Sequence, residues 1–248
     1  MLCINNTFTD AYFNIAAEEY LLKNFSDDIF MVWQNEPSII LGKHQDVWAE
    51  VNIDFVRDKH IKVVRRYSGG GAVYHDLGNI NVTFIERSNN LDFDKYTNLT
   101  LDILSRMGVN AQADKRRGLN IDGLKISGSA QSIHKNRVMY HATLLYSSNL
   151  EYLTTSLESH NEQPENNSNI QSKIYVRSVK SPVTNISQHL ANPLAIEDLK
   201  ALILNDFIDN NSENKQYKFT EEDIKAISLL KDAKYATEVW NFNEASHR

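Results

Sequence analysis

The sequence predicts an α+β fold, with a mixed and largely antiparallel sheet flanked by helices. Short runs of β-branched and aromatic residues indicate strands, and longer stretches of helical period indicate amphipathic helices set apart from them. We find no internal repeat. A chain of 248 residues is long enough for one large domain or two small ones.

The first half of the chain predicts an early strand around Cys3 and then a helix that Thr9 or Asp10 caps. The apolar residues of this helix recur every three or four positions and are Phe13, Ala16, Ala17, Tyr20 and Leu21. The other elements predicted here are strands at 29–33 and 38–41, a short helix at 54–59, and strands on both sides of a glycine-rich segment.

The second half predicts a long amphipathic helix at 93–107, which Gly108 ends as a C-cap. Residues 159–172 contain Asn166-Asn167-Ser168-Asn169 and almost no apolar residues, which predicts a mobile loop. The remaining elements predicted are strands at 109–112, 124–133 and 138–146, and helices at 196–209 and 221–232.

Composition excludes several classes of function. The net charge of −6 argues against a nucleic-acid partner, which usually requires a basic face. The single cysteine, Cys3, cannot form a disulfide framework or a zinc cluster within the chain. No secretory signal and no run of about 18 apolar residues is present, so we expect no membrane association and a cytoplasmic location.

Three consecutive glycines, Gly69–Gly71, are the most informative feature. They lie between the strand-like runs 61–64 and 81–85, and two arginines precede them. Such a run at a strand end predicts a positive φ or a close approach to the backbone, and the arginines favour an anionic ligand. A Walker loop or a dinucleotide fingerprint would need a helix next, whereas a strand follows here. A hairpin turn with no ligand is the alternative.

The motifs around this segment resemble the signature of lipoate–protein ligases, and the resemblance spans nearly the whole chain. The matching segments, in order, are Ile40–Gln45 with Glu50 and Asn52, Arg65–Phe84, Asp122–Ala130, His141–Leu145, and Val176–Ser178 with Val183–Asn185. The resemblance implies a single catalytic domain over residues 1–248, with a fold related to biotin ligases and class II tRNA synthetases.

The family activates lipoate with ATP to lipoyl-AMP and transfers the acyl group to a carrier lysine. The resemblance therefore implies ATP, Mg²⁺ and lipoate as ligands, with no ligands of the magnesium identified. It implies lipoyl domains of 2-oxoacid dehydrogenase complexes or the glycine cleavage H protein as partners. Joining two anions requires cations and donors aimed at the developing charge.

The resemblance also assigns site residues. Arg66 is predicted to contact phosphate, because its planar fork can hold two oxygens, and Arg65, of opposite strand parity, is secondary. Lys125 is predicted to be catalytic and to bridge the acyl carbonyl and the phosphate. The other predicted residues are Gly71, Ala72, Val73 and Tyr74 for the nucleotide, and Ser68, Gly69, Gly70, His75 and His141 for the substrate. Trp33, Val73 and Ile126 are candidates for the apolar slot that the lipoyl tail needs.

The sequence departs from the family pattern in two places. Arg116-Arg117-Gly118 stands where the family usually has Arg-Asn-Asp, so an acidic residue, a candidate partner of magnesium or of the lysine, is missing. Asp114 and Asp122 are the candidates to replace it. The chain also ends near 239–242, where larger relatives continue into a small accessory domain, so we expect that a separate protein could supply that domain.

Four alternatives follow. The chain could transfer preformed lipoyl-AMP, or it could bind lipoyl-AMP or a carrier without turnover. Octanoyl transfer through a thioester would need a nucleophilic cysteine near the motifs, and Cys3 is distant from them in sequence. Biotin ligation would need a differently arranged glycine–arginine loop.

Overall fold

The structure of the protein, a computed structural model, describes residues 1–87, 92–158, 175–209 and 211–242. The strands are β1 Leu2–Asn5, β2 Ile29–Trp33, β3 Ser38–Leu41, β4 Lys62–Arg65, β5 Val73–His75, β6 Asn79–Arg87, β7 Gln112–Ala113, β8 Leu119–Ile121, β9 Leu124–Ser127, β10 Ser129–His134, β11 Arg137–Leu145 and β12 Lys215–Tyr217. The helices are α1 Ala11–Asn24, α2 Val47–Glu50, α3 Ile53–Asp58, α4 Phe93–Arg106, α5 Leu150–Ser156, α6 Ile196–Asp209, α7 Glu221–Leu230 and α8 Glu238–Phe242.

The strands form three sheets, and the predicted α+β class is confirmed. The largest sheet has the order β10-β11-β6-β2-β1-β12, in which the first four strands are antiparallel and β1 is parallel to both of its neighbours. A second sheet has the order β4-β3-β5, and the third is the small antiparallel sheet β7-β8-β9. The predicted single domain over 1–248 stays a prediction.

Strand β6 is buried on both faces of the large sheet. Because side chains alternate across a strand, Val82 and Phe84 point to one core, where Phe84 packs against Phe30 and Tyr140. Ile85 belongs to a second core on the opposite face, which helix α1 covers. Asn81 and Thr83 share the parity of Ile85, so the face turned toward α1 carries polar groups between apolar ones. That face borders the site described below.

Local signals place most elements correctly. Asp10 caps α1 through a hydrogen bond that its carboxylate accepts from Tyr12 N, and Gly108 follows α4 with φ 82°. The stretch predicted as one strand at 124–133 divides at Gly128 into β9 and β10, which belong to different sheets. The predicted strand at 109–112 is wrong, because β7 begins only at Gln112. Strands β8 and β12 and the short helices α2, α5 and α8 were not predicted.

The predicted loop at 159–172 lies outside the described residues. Among the helices that are described, none is long and apolar enough to cross a membrane.

Candidate active site

The glycine loop, residues 66–72, connects β4 to β5 and has the backbone features that the triglycine predicts. Gly70 has φ 88°, a left-handed value that favours glycine. A Cβ built on Gly42 would lie 1.9 Å from the carbonyl oxygen of Gly70, so the two segments touch through their main chains. Both the positive φ and the close approach are therefore present.

Arg66 is buried beneath this loop and is hydrogen-bonded to it. Its Nη2 donates to the carbonyls of Gly69 (2.6 Å) and Gly71 (2.8 Å), and its Nη1 donates to Ile40 O (2.9 Å). Its Nε donates to Ser68 Oγ (3.0 Å). Burial lowers the pKa of Arg66 to about 10, so the side chain stays charged at neutral pH. The geometry makes Arg66 a brace of the loop, and the predicted phosphate contact stays a prediction.

Arg65 points to the opposite side, as its strand parity predicts. Its guanidinium donates to Gln45 O (2.6 Å), and to Trp240 O (3.1 Å) and Asn241 O (3.0 Å) in α8. Arg65 therefore links helix α8 to strand β4 and to the turn after β3.

Ser178 is a site residue to which sequence reasoning gave no role, although it lies in a segment that matches the family. Its Oγ accepts hydrogen bonds from Gln45 Nε2 (2.9 Å) and from Ala72 N (2.8 Å). Its backbone N donates to the carboxylate of Glu50 (3.1 Å). Three segments that are distant in sequence thus fix the end of the glycine loop, and the N–H of Ala72 is engaged by the protein itself.

A chain of hydrogen bonds connects Ser68 in the loop to the buried carboxylate of Glu18. His141 Nδ1 donates to the Glu18 carboxylate (2.9 Å), and His141 Nε2 lies 2.9 Å from the Ser68 hydroxyl oxygen. Thr83 donates to the same carboxylate (2.7 Å) and accepts from Trp33 Nε1 (2.8 Å). Glu18 lies in helix α1, and no sequence motif indicated its role.

His75 is held neutral in one tautomer. Asn14 donates to Asn35 Oδ1 (2.8 Å), so the Asn35 amide nitrogen faces His75 Nδ1 (3.1 Å) and donates to it. The proton is therefore on Nε2, which is buried and has no acceptor within the described residues. Burial, together with the nearby charge of Arg66, lowers the pKa of His75 to about 3. His75 offers a hydrogen-bond donor and no charge.

Lys125 enters β9 directly after the turn at Asp122-Gly123, whose φ values are 50° and 83°. Its main chain is fixed on both sides, since its N donates to Pro182 O (2.8 Å) and its carbonyl accepts from Thr184 N (3.1 Å). Ile126 points the other way into the core, as predicted. The Lys125 ammonium makes no hydrogen bond to the described residues, and burial lowers its pKa.

Lys125 lies where two concave spaces meet. The inner cavity, of about 290 Å³, is lined by residues of α1, the glycine loop and strands from all three sheets, and its walls are mainly apolar. The outer cleft is larger, with a volume of about 1480 Å³. The residues that line both are Ala72, Val73, Lys125, Gly128, Thr143, Arg177, Ser178 and Val179. A ligand that passes from one space to the other must therefore pass Lys125 and the end of the glycine loop.

The predicted residues divide between these spaces. Five of the predicted residues line the inner cavity and not the outer cleft: Arg66, Gly70, Gly71, His75 and His141. Tyr74 lines the outer cleft and not the inner cavity. Ser68 and Gly69 belong to the glycine loop but line neither space. Of the three residues predicted for the tail slot, Trp33 and Val73 line the inner cavity and Ile126 does not. Within the part of the chain that the structure covers, no three His, Cys, Asp or Glu side chains cluster to hold a metal ion.

A glycine loop, a cavity with mainly apolar walls and a lysine that lines it suit a ligase that activates an apolar acid. Comparison with known proteins identifies the family. A profile of the lipoyl protein ligase A/B catalytic domain matches residues 10–208. Lipoate–protein ligase 1 of Staphylococcus aureus is 41% identical over 243 residues, which are 96% of this chain and 72% of that protein.

Solved structures show the same fold. The lipoate complex of LipL1 from P. falciparum has a TM-score of 0.76 at 25% identity, over 98% of this chain and 74% of that one. The bi-partite lipoate protein ligase from Thermoplasma acidophilum, described with its E2 lipoyl domain, has a TM-score of 0.80 at 22% identity, over 100% and 98% of the two chains. The present chain belongs to the lipoate–protein ligase family and is an acid–protein ligase.

Proposed function

We propose that this enzyme joins lipoate to AMP at the junction of the two spaces and transfers the lipoyl group to a lysine of a lipoyl domain. The observation that carries the proposal is the position of Lys125. Its ammonium lies between a cavity sized for an apolar acid and a cleft wide enough for a nucleotide, beside the glycine loop.

The inner cavity suits a lipoyl chain. Trp33, Ile40 and Val73 supply apolar surface, and His75 supplies an N–H that needs an acceptor. A carboxylic acid bound there tail-first would direct its carboxylate toward Lys125. The outer cleft would then hold ATP against Val73 and Tyr74.

Activation forms one bond and breaks one. A carboxylate oxygen attacks the α-phosphorus of ATP, and the bond from that phosphorus to the pyrophosphate oxygen breaks. Lys125 would supply a positive charge between two groups that repel each other. Magnesium would enter with the phosphates of ATP, because this ion is usually held by substrate phosphates and only one or two carboxylates.

Transfer uses the same junction. The amine of the carrier lysine attacks the acyl carbon, the bond from that carbon to the AMP oxygen breaks, and the amine loses a proton. Lys125 would stabilise the oxyanion that forms on the acyl oxygen. The carrier would be a lipoyl domain of a 2-oxoacid dehydrogenase complex or of the glycine cleavage system, in keeping with the E2 lipoyl domain that accompanies the Thermoplasma ligase.

Incubation of the protein with lipoate, ATP and magnesium, with and without a lipoyl domain, tests the proposal. We expect lipoyl-AMP by mass spectrometry in the first mixture and a lipoylated domain by gel shift in the second. Transfer from supplied lipoyl-AMP without formation of the adenylate would replace the proposal by a transferase, or by a ligase that needs an accessory protein. Binding of lipoyl-AMP with neither reaction would reject catalysis.

A further inference from the structure

The carboxylate of Asp114 occupies the space in which a side chain of residue 118 would lie. A Cβ built on Gly118 would be 2.8 Å from Asp114 Oδ2 and 3.3 Å from its Cγ. Real Cβ atoms essentially never come within 3.0 Å of a neighbour, so a side chain at 118 would displace the carboxylate from this position. An acidic group is thus present here although residue 118 is glycine.

The main chain holds this carboxylate in place and ionised. Asp114 Oδ1 accepts from the backbone N of Arg116 (2.7 Å) and of Gly118 (2.8 Å). Partial burial acts to raise the pKa of Asp114, but these two bonds and one from the Asn120 side chain outweigh it and lower the pKa. Asp114 therefore carries its negative charge at neutral pH.

The charge of Asp114 acts on Lys125. Asn120, which contacts Asp114, is the cross-strand partner of Lys125 in the β8–β9 pair. Asp114 and Lys125 both line the inner cavity, and Asp114 is the only carboxylate among the described residues that do so. The other ionisable side chains on its wall are Arg66, His75, Arg116, His141 and Arg177. Burial lowers the pKa of Lys125, Asp114 acts to raise it, and Arg116 acts to lower it.

Asp122 does not share a cavity with Lys125. It is exposed on the turn before β9 and lines neither the inner cavity nor the outer cleft. Of the two acidic residues near the lysine in sequence, only Asp114 shares a cavity with it.

We propose that Asp114 is the positioning residue of Lys125, a counter-charge that keeps the ammonium protonated and directed toward the junction of the two spaces. This inference deepens the proposed function and depends on it for its catalytic consequence. The effect on the charge of Lys125 depends only on the arrangement of the residues, so the two can fail separately.

The first experiment does not depend on the catalytic activity of the protein. Intact protein is labelled with an amine-reactive reagent across a pH series, and modification of Lys125 is followed by peptide mass spectrometry. In Asp114→Asn we expect the labelling midpoint of Lys125 to move to lower pH and the rate at pH 8 to rise several-fold, because a neutral amine reacts and an ammonium does not. Asp122→Asn, the matched control, should label like wild type. Equal midpoints in Asp114→Asn and wild type would overturn the proposal.

The second experiment moves the carboxylate. Gly118 has no left-handed φ, so aspartate can be accommodated there once Asp114 is truncated to alanine. We expect Asp114→Asn and Asp114→Ala to slow formation of lipoyl-AMP about tenfold, the equivalent of one pKa unit, and Asp114→Ala with Gly118→Asp to recover most of the rate. A double variant that folds, as shown by its thermal midpoint, yet stays as slow as Asp114→Ala would contradict the proposal. If wild type forms no lipoyl-AMP, the proposed function fails and the labelling experiment alone decides the role of Asp114.

Discussion

The glycine loop (residues 66–72) and the lysine hairpin (β8–β9, residues 119–127) both border the cavity, but their charged side chains are used differently. In the loop, Arg66 is buried and donates to carbonyls of the loop itself and of β3. In the hairpin, the Lys125 main chain is fixed while its ammonium makes no hydrogen bond to the described residues. Arg66 therefore stabilises the backbone of the loop, whereas the ammonium of Lys125 stays available to a ligand.

The difference teaches how two neighbouring cations in one site acquire separate tasks. A guanidinium has five N–H donors in a rigid fork and can satisfy several carbonyls at once, so it suits a loop whose carbonyls converge on one point. An ammonium on a flexible stem is a compact charge that can follow a substrate through two steps. Each prediction below tests one side of this comparison.

Replacement of Lys125, whose ammonium is available to a ligand, should have the largest effect on catalysis. We expect Lys125→Ala to lower acyl transfer by ~10²–10³, as loss of one preorganised donor does elsewhere. The thermal midpoint should change little, because the ammonium makes no hydrogen bond to the described residues. Gel-shift kinetics with a lipoyl domain measure the rate, and Lys135→Ala, on an exposed turn, is the control. Near wild-type transfer by Lys125→Ala would remove this residue from the mechanism.

Replacement of Arg66, which is hydrogen-bonded to the glycine loop, should mainly lower the stability of the folded protein. We expect Arg66→Lys to lower the free energy of unfolding by about 2–4 kcal/mol, because the carbonyls of Gly69 and Gly71 lose their donors. Urea unfolding measures this change, and Arg57→Lys, which is exposed, is the control. Unchanged stability with a raised KM for ATP would instead favour the phosphate contact predicted from the sequence.

The neutral histidine near the loop should make stability depend on pH. The pKa of His75 is lowered to about 3 in the folded chain, and it is about 6.5 in an unfolded chain. Between these values the unfolded state binds the extra proton, so stability falls as pH falls, by at most about 1.4 kcal/mol for each pH unit. His75→Gln should flatten the wild-type curve between pH 6.5 and pH 3, and His134→Gln should not. Parallel curves for wild type and His75→Gln would show that the buried histidine does not titrate in this way.

The smallest expected effect concerns the contact between the loop and the segment that contains Ser178. We expect Ser178→Ala to lower stability by about 1 kcal/mol and to slow lipoyl-AMP formation a few-fold, because Ala72 N and Gln45 lose their acceptor. Denaturant titration and adenylate formation are the measurements, with Ser105→Ala on the exposed face of α4 as control. If neither quantity changes, Ser178 does not hold the loop.

Much of the fold follows from local chemistry that can be read along the chain. The helix after Asp10, the strands at 29–33 and 38–41 and the helix at 196–209 were predicted from the apolar residues along the chain and are present. Strand β8 and helices α2, α5 and α8 are three to seven residues long, too short for a periodic pattern to rise above its neighbours. The break between β9 and β10 at Gly128 depends on which sheet each half joins, and that choice is not local.

The sequence by itself determined the triglycine turn, the placement of Lys125 after an Asp-Gly turn, and the family to which these motifs belong. Tertiary structure decided that Arg66 binds its own loop, that Ser178, Glu18 and Asn35 fix the groups around the cavity, and that Asp114 shares that cavity with Lys125 whereas Asp122 does not. Backbone conformation at a glycine or a turn is set by neighbours in sequence. The partners of a buried charge are set by which distant segments fold against it, because only their donors and acceptors remain once water is excluded.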